Sequence, residues 1–164
     1  GWLPCEPGTT PDILPGPWGV YHEPSEGETF MGLITRAEGT WESVGQRLKE
    51  PLDAESCYSF QLDLAHSDSY AGYNLPLKLR IWAGATKCHK GQLLAETPAI
   101  EHREWRTYTF RFNTKKRYQY ILLEAHYMNG VFFHYQGNIL IDNCSEIKPC
   151  PRAELQTDKA HSRS

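Results

Sequence analysis

The sequence has no long hydrophobic run, no excess of positive charge and no helical periodicity. No apolar stretch approaches the roughly 20 residues that a membrane-spanning helix needs. The formal net charge of −3 at pH 7 supplies no positive field for phosphates, which disfavours nucleic-acid binding. No segment keeps an apolar repeat of 3.6 residues between helix caps. The sequence therefore predicts no membrane span, no nucleic-acid partner and no helical fold.

Catalytic and zinc-binding motifs are also missing. GxSxG, HExxH, P-loop and GxGxxG patterns are absent, and the cysteines show neither CxxC nor a Cys/His zinc spacing. Glu124 and His126 lie two residues apart and so share one side of a strand, where they could form an acid–base pair or half of a metal site. A polar pair on a strand face is the commoner situation. We therefore predict a protein without catalytic activity.

What the sequence does contain is a succession of short strand-like segments after residue 28. Several alternate between apolar and polar residues, with the apolar sides formed by Tyr58, Phe60, Leu62 and Leu64, by Leu77, Leu79 and Ile81, and by Tyr108, Phe110 and Phe112. About eight such segments with turn residues between them predict an all-β fold, an antiparallel sandwich of the jelly-roll, galactose-binding-like type. The first 28 residues, rich in Pro and Gly, are expected to lie over an edge of this sandwich.

The domain is expected to span residues 1–150. The polar segment 151–164 has no apolar side, which indicates a linker or a disordered end. Because the sequence starts at Gly1 without a methionine or a signal peptide, we expect a processed or excised domain.

Five cysteines in a chain of this size have two explanations, small buried thiols or disulfides. Cys57 and Cys88 border strand-like segments, whereas Cys5 and Cys150 lie near the ends of the folded part, and this arrangement favours disulfides formed in an oxidising compartment. The odd number leaves one thiol unpaired. We therefore predict an exported protein.

Aromatic residues are concentrated in the loops and on one polar strand side. Rings that are exposed to water usually pack or meet a partner, and Trp and Tyr match the flat C–H faces of sugar rings. If the polar strand sides adjoin, they form a saccharide-binding surface in which Trp82, Tyr70, Tyr73 and Tyr135 stack on sugar rings and Arg80, Asp63, Glu124, His126 and Gln46 bind hydroxyl groups. The alternative is an ordinary polar outer face in which the first segment covers Trp82.

Asp142 ends the apolar strand "GNILIDN". An aspartate in this position commonly starts a turn. It could also lie at the sandwich edge beside the carboxylates of "EPSEGE", which would supply oxygen ligands for a structural calcium ion. We predict Asp142, Glu26 and Glu28 as candidate ligands of Ca²⁺.

The order of these segments resembles a known family. "GLITRAEGTWESVGQRL" and "GNILIDN" carry most of a similarity that extends over residues 2–147. The chain resembles carbohydrate-binding-module-like jelly rolls of exported multidomain surface proteins from gliding-type bacteria. It is more distantly similar to calcium-containing modules appended to glycoside hydrolases. The resemblance implies glycan binding on a concave sheet or at the loop rim, and a structural calcium at Asp142.

The sequence therefore predicts a non-catalytic carbohydrate-binding module. It would recognise a polysaccharide or surface glycan as part of a larger multidomain protein, secreted or on the bacterial cell surface. The alternative function is adhesion, in which the same aromatic loops contact another protein. For the disulfides, the preferred pairing is Cys57 with Cys88, and Cys5 with Cys144 or Cys150.

Overall fold

A computed structural model describes residues 1–6 and 10–151 of the chain. Within these residues no helix has the length and apolar character needed to cross a bilayer. The strands are β1 (Leu3–Pro4), β2 (Asp12–Leu14), β3 (Phe30–Thr35), β4 (Ser43–Leu52), β5 (Cys57–Ala65), β6 (Leu75–Gly84), β7 (Gln92–Glu96), β8 (Arg106–Asn113), β9 (Tyr118–Tyr127), β10 (Gly137–Asp142) and β11 (Lys148–Pro149).

The strands form two facing antiparallel layers. Sheet A has the order β1-β4-β9-β6-β7. Sheet B has the order β2-β3-β10-β5-β8, with β11 paired to the start of β5. A short parallel pairing of Gly137 with Leu75 joins β10 to β6, so the two layers are continuous as one curled sheet. The predicted all-β jelly roll is confirmed. The described residues form eleven strands instead of about eight, because the sequence pattern did not show the short strands β1, β2 and β11.

The alternation of apolar and polar residues along the strands correctly predicts which side chains form the core. Leu77, Leu79 and Ile81 of β6 point inwards and have no exposed surface, and Phe60 and Leu62 of β5 face them from sheet B. Hydrophobic burial is the main favourable term in folding, so these inward faces explain why the two layers close on each other. The opposite sides of the same strands are left to carry functional groups.

The irregular first segment covers sheet edges, as predicted: β1 pairs with β4 in sheet A, and the part from β2 onwards lies along sheet B. Leu14 pairs with Phe30 at the edge of the sheet, and the Trp105 indole donates a hydrogen bond of 2.7 Å to the Glu23 carbonyl. Leu14 and Val20 of this segment are fully buried in a cluster with Phe30 and Leu140 of sheet B. The edge of β3 is therefore covered, which protects it from pairing with another chain.

The chain forms two disulfides, but the predicted pairing is wrong. Cys5 is bonded to Cys88 and Cys57 to Cys150, while Cys144 is a free thiol whose pKa burial raises to about 12. Cys57 begins β5 of sheet B and Cys88 follows β6 of sheet A, so the pair that we preferred lies in different layers. Each disulfide instead fastens one end of the domain to one sheet. Two disulfides are typical of domains in oxidising compartments.

The prediction of a linker at residues 151–164 lies almost entirely outside the described residues.

Candidate functional site

The outer side of sheet A brings together the central residues of the predicted site. Arg80 pairs directly with Glu124 across β6 and β9, and Trp82 and His126 lie on the same side of these strands. Trp41, just before β4, reaches the same place. We call Trp41, Arg80, Trp82, Glu124 and His126 the tryptophan face.

Glu124 is the centre of this arrangement. Its carboxylate accepts hydrogen bonds from Trp41 Nε1 at 2.9 Å and from Trp82 Nε1 at 3.1 Å, and Lys90 Nζ donates to the same oxygen as Trp41. The side chain is only 1% exposed. Burial alone raises the pKa of Glu124, but the bonds from Lys90 and the two indoles outweigh it, and the pKa falls below its ordinary value. The ionised carboxylate therefore holds two indole rings in place.

Trp41 was not predicted as a site residue. Its ring meets His126 edge to face at 5.0 Å between centroids, and Lys90 Nζ lies 5.7 Å from the centroid of the indole. Its hydrogen-bond partner Glu124 lies 83 positions away in the chain. Only the pairing of β4 with β9 brings the two together, and no local pattern signals that contact.

A second carboxylate organises the cations of the face. Glu96 at the end of β7 accepts from Lys78, and Arg80 Nε lies 3.4 Å from the same oxygen. The Arg80 side chain keeps 27% of its surface exposed. Burial and the nearby Arg80 charge lower the pKa of His126, which favours the neutral imidazole. The face therefore presents two fixed indoles beside a guanidinium and a neutral imidazole.

The loop between β6 and β7 borders the face on one side. Gly84 lets this loop fold back closely, since a Cβ there would lie 2.1 Å from the His89 carbonyl oxygen. The disulfide from Cys88 to Cys5 crosses above Gly45, where a Cβ would meet Cys5 Sγ at 3.0 Å. This anchoring places Lys90, two residues after Cys88, against Glu124.

Two predicted stacking residues are corrected by the structure. Tyr70 has no exposed surface and donates its hydroxyl hydrogen bond to Asp12, and burial raises its pKa above the ordinary range. Tyr135 is 3% exposed, accepts from Met128 N and donates to the Pro76 carbonyl, both at 2.7 Å. These rings support loops from within the core, and neither has a free face for a ligand.

Three further predicted residues lie away from the tryptophan face. Tyr73 is half-buried and contacts Trp18 edge to face at 6.0 Å, on the side of sheet B. Asp63 lies in sheet B and is 5% exposed. Gln46 points to the inner side of sheet A, because it follows the register of Ile121. The alternation along a strand shows which residues point outwards, but it does not show in which sheet the strand lies. Residues of similar polar character therefore lie in different places on the molecule.

Asp63 instead fastens the first segment. It accepts from Ser25 Oγ, from Thr107 Oγ1 at 2.6 Å and from Asn143 Nδ2 at 3.3 Å. Burial alone would raise the pKa of Asp63, but these three hydrogen bonds lower it below its ordinary value. Its acceptor capacity is directed to the protein, so its role is structural.

Gln46 lines a cavity of about 730 Å³ that opens between the two sheets at one end. Trp2, Tyr58 and Phe60 contribute rings to its wall, although Tyr58 and Phe60 are nearly buried. The rim carries mixed charge from Arg117 and other residues. This cavity and the tryptophan face are separate places on the molecule, since they occupy the inner and outer sides of sheet A.

Asp142, the residue predicted to bind calcium, is hydrogen-bonded to the backbone at both carboxylate oxygens. Asp142 Oδ2 accepts from the Glu26 backbone N–H at 3.0 Å, and Oδ1 accepts from the Asn143 N–H at 2.8 Å. Each Asp142 oxygen thus accepts one backbone N–H, which leaves further lone pairs on the carboxylate, and Glu26 and Glu28 are exposed. Among residues 1–6 and 10–151 no three His, Cys, Asp or Glu side chains are placed to hold a metal. These hydrogen bonds join the first segment to the end of β10 at Asp142.

Calcium binding stays a prediction that a melting curve can test. A chelator is expected to lower the wild-type midpoint by several degrees, because an ion that binds only the folded protein stabilises it. Asp142→Ala should lower the midpoint by roughly 4 °C even in the chelator, since it removes charge-assisted bonds of about 1–2 kcal/mol. A wild-type midpoint that does not change on chelation would contradict the calcium site and leave Asp142 as a turn residue.

Glu42, next to Trp41 in sequence, is a buried carboxylate with an unusual pKa. It is 3% exposed, accepts from Ile34 N at 3.0 Å and lies 3.7 Å from Arg36. Burial raises its pKa to about 7, from 4.5. Since the folded pKa lies above the unfolded one, the stabilising contribution of protonated Glu42 is complete below pH 4.5 and is lost as the pH rises through 7.

Glu42→Gln tests this pH dependence. We expect the variant to exceed the wild type in stability by up to roughly 3 kcal/mol at pH 8 and to match it near pH 4, because glutamine keeps an acceptor for Ile34 and never ionises. Denaturant unfolding of both proteins across this range gives the difference. If the difference in unfolding free energy between the two proteins is the same at every pH, Glu42 does not titrate between pH 4 and pH 8.

The fold has many counterparts among solved structures. The xylanase 10B CBM22-1–GH10 structure from Clostridium thermocellum, solved with xylohexaose, matches with a TM-score of 0.59 and 15% identity. That match covers 93% of this chain and 26% of the xylanase, so the chain spans about a quarter of that protein. The CBM22-1 xylan-binding domain of Paenibacillus barcinonensis Xyn10C matches with a TM-score of 0.57 and 12% identity, over 91% of this chain and 85% of that one.

The chain has the jelly-roll fold of carbohydrate-binding modules. An adhesin domain shares it: the K3 domain of Lys-gingipain from Porphyromonas gingivalis matches with a TM-score of 0.56 and 12% identity, over 90% of this chain and 91% of that one. At these identities the likeness concerns the fold, and function has to be argued from the site. No family model and no curated protein matches the chain significantly.

Proposed function

We propose that the chain is a non-catalytic carbohydrate-binding module whose ligand lies on the tryptophan face. The observation that carries this proposal is the single buried carboxylate of Glu124, which holds the indoles of Trp41 and Trp82. The bond from each indole N–H to Glu124 fixes the orientation of its ring. Rings held in this way bind with little loss of side-chain freedom, which favours association.

The polar groups of the face suit hydroxyl recognition. Arg80 carries several N–H donors and is partly exposed, while the neutral imidazole of His126 has one donor and one acceptor nitrogen. The shallow site implies weak binding, with Kd values in the micromolar to millimolar range, or about 4–8 kcal/mol. The glycan itself is not specified by these groups.

Catalysis is disfavoured by the way the candidate acid–base pair is used. Glu124 accepts from two indoles and a lysine, which leaves it little capacity to exchange a proton with a substrate. His126 Nδ1 lies 3.4 Å from the Tyr127 carbonyl. Their arrangement supports positioning of rings, and we assign neither a catalytic role.

The disulfides and the similar folds support a location outside the cell and within a larger protein. Each disulfide fastens one end of the domain, an arrangement suited to a module joined to further domains outside the cell. Similar folds occur within a much longer xylanase chain. We therefore place the module in a secreted or cell-surface multidomain protein of a bacterium.

A glycan array with Trp82→Ala tests the proposal. Wild-type protein should bind at least one polysaccharide, and the variant should lose at least about thirtyfold in affinity, as truncation of a central tryptophan commonly does. Trp18→Ala is a matched control, because the Trp18 indole also donates to a carboxylate, Asp12 at 3.0 Å, but on the side of sheet B. Equal losses of affinity in the two variants, or an unchanged affinity of folded Trp82→Ala, would contradict the proposal.

Adhesion to a protein is the second candidate. It is favoured by Phe132 and Phe133, which are 100% and 67% exposed, and by the fold shared with an adhesin domain. A silent array combined with a protein captured by the wild type, but not by a Phe132→Ser/Phe133→Ser variant, would select this function.

A further inference from the structure

Asn129 and Gly130 form an exposed turn just after β9 and are the only Asn-Gly pair in the sequence. The side-chain amide of an asparagine can be attacked by the backbone nitrogen of the next residue, which forms a five-membered imide. Glycine permits this approach because it has no Cβ. The other four asparagines precede larger residues, namely leucine, threonine, isoleucine and cysteine. Asn129 is therefore the asparagine with the least hindered neighbour.

The attacking group is the backbone nitrogen of Gly130, and it is accessible. Across residues 1–6 and 10–151 no group accepts a hydrogen bond from this N–H. Gly130 has a φ of +83°, and a Cβ placed on it would have no atom within 4 Å apart from its chain neighbours. In this part of the chain, no hydrogen bond has to be broken before the nitrogen loses its proton.

The group that is attacked, the Asn129 amide, is polarised by a buried cation. Lys78 Nζ donates a hydrogen bond of 2.7 Å to Asn129 Oδ1, and Lys78 is 3% exposed. An ammonium group has only donors, so it faces the amide oxygen and not the amide nitrogen. Attack at Cγ develops negative charge on this oxygen, and a charged donor already in place stabilises that charge. The Asn129 NH₂ group, which has to leave, makes no hydrogen bond to the described residues.

We propose that Asn129 is a site of spontaneous deamidation promoted by Lys78. Hydroxide removes the Gly130 N–H proton, and the nitrogen forms a bond to Asn129 Cγ. The Cγ–Nδ2 bond then breaks, and ammonia leaves with a proton taken from water, which regenerates hydroxide. Water opens the imide at either carbonyl carbon and gives aspartate or isoaspartate. The inference is independent of the proposed function, since it needs no ligand.

The product changes the charge next to the tryptophan face. A carboxylate replaces the amide that Lys78 now contacts, and Lys78 shares the Glu96 carboxylate with Arg80. Each conversion therefore adds one negative charge beside the cations of this face. Isoaspartate also lengthens the backbone by one carbon atom, at the start of the loop between β9 and β10.

The test is the rate of conversion at each asparagine of the folded protein. Wild type is incubated at pH 5 and at pH 9 and digested, and its peptides are separated and identified by mass, so that asparagine, aspartate and isoaspartate are distinguished. We expect Asn129 to convert first of the five asparagines, and faster at pH 9, because hydroxide generates the attacking nitrogen. Lys78→Met should slow the conversion about tenfold, because it removes the charged donor at the developing oxyanion. Lys116→Met is the control, since it removes the same charge from an exposed residue before β9 and should leave the rate unchanged.

Several results would overturn the proposal. Asn129 that stays intact at pH 9, converts after another asparagine, or converts no faster than at pH 5 would show that this turn does not react in the way described. A folded Lys78→Met protein that converts as fast as the wild type would exclude promotion by Lys78. The first group of results is measured on the wild type alone, so it decides the matter even if melting curves show that Lys78→Met is unfolded.

Discussion

Glu124→Gln is expected to lower the free energy of unfolding by about 3 kcal/mol and to reduce glycan affinity at least a hundredfold. The amide is isosteric with the carboxylate, but its NH₂ group is a donor. It would face other donors that now give hydrogen bonds to the carboxylate, among them Lys90 and one indole. Bonds to a charged acceptor are stronger than neutral ones, so their loss in a side chain that is 1% exposed has a large effect. The two rings would lose their common support.

Glu96→Gln is the matched control for this substitution. Glu96 is a carboxylate at the same face, where it contacts Lys78 and Arg80 but no indole. We expect a smaller loss of stability and an affinity within a few-fold of wild type. Denaturant unfolding and calorimetric titration give both quantities. If the two variants bind equally well, Glu124 does not position the rings.

Removal of either disulfide should lower stability by about 4 kcal/mol, since each closes a long loop in the unfolded chain. The sequence separations are similar, 83 for Cys5–Cys88 and 93 for Cys57–Cys150. Only the first of them anchors the loop that places Lys90 against Glu124 and above Trp41. We therefore expect Cys5→Ala/Cys88→Ala to weaken glycan binding as well, and Cys57→Ala/Cys150→Ala to leave it unchanged.

The loss of stability and the loss of affinity can be measured separately. Thermal melts give the first, and titrations at a temperature where all variants are folded give the second. Similar melting temperatures with different affinities would support a specific role of the anchored loop. Equal affinities in the two double variants would show that Lys90 keeps its position without the disulfide.

The fold was readable from the sequence because its signals are local. The alternation of Leu77, Leu79 and Ile81 against Arg80 and Trp82 assigns inner and outer sides by geometry alone, and the structure follows it. The same rule correctly placed Trp82 and Arg80 on an outer face with Glu124 and His126, once β6 and β9 proved to be neighbours.

The positions of the other site residues and the cysteine pairing depend on which strands are neighbours. No local sequence pattern shows which strands adjoin. Asp63 shows the same alternation as Arg80 but lies in the opposite sheet. Tyr70 sits in a loop that looks exposed in the sequence, yet the first segment covers it and Asp12 accepts its hydroxyl hydrogen bond. The cysteine pairing failed for the same reason, because three-dimensional proximity of Cys57 and Cys150 is set by β11 pairing with β5.

The most direct measurement follows the indole N–H signals of the five tryptophans by NMR while the strongest array glycan is added. Our account predicts that the signals of Trp41 and Trp82 shift together with added ligand, and that those of Trp2, Trp18 and Trp105 stay in place. A shift of Trp2 without Trp41 and Trp82 would place the ligand in the cavity between the sheets and contradict the tryptophan face as the binding site.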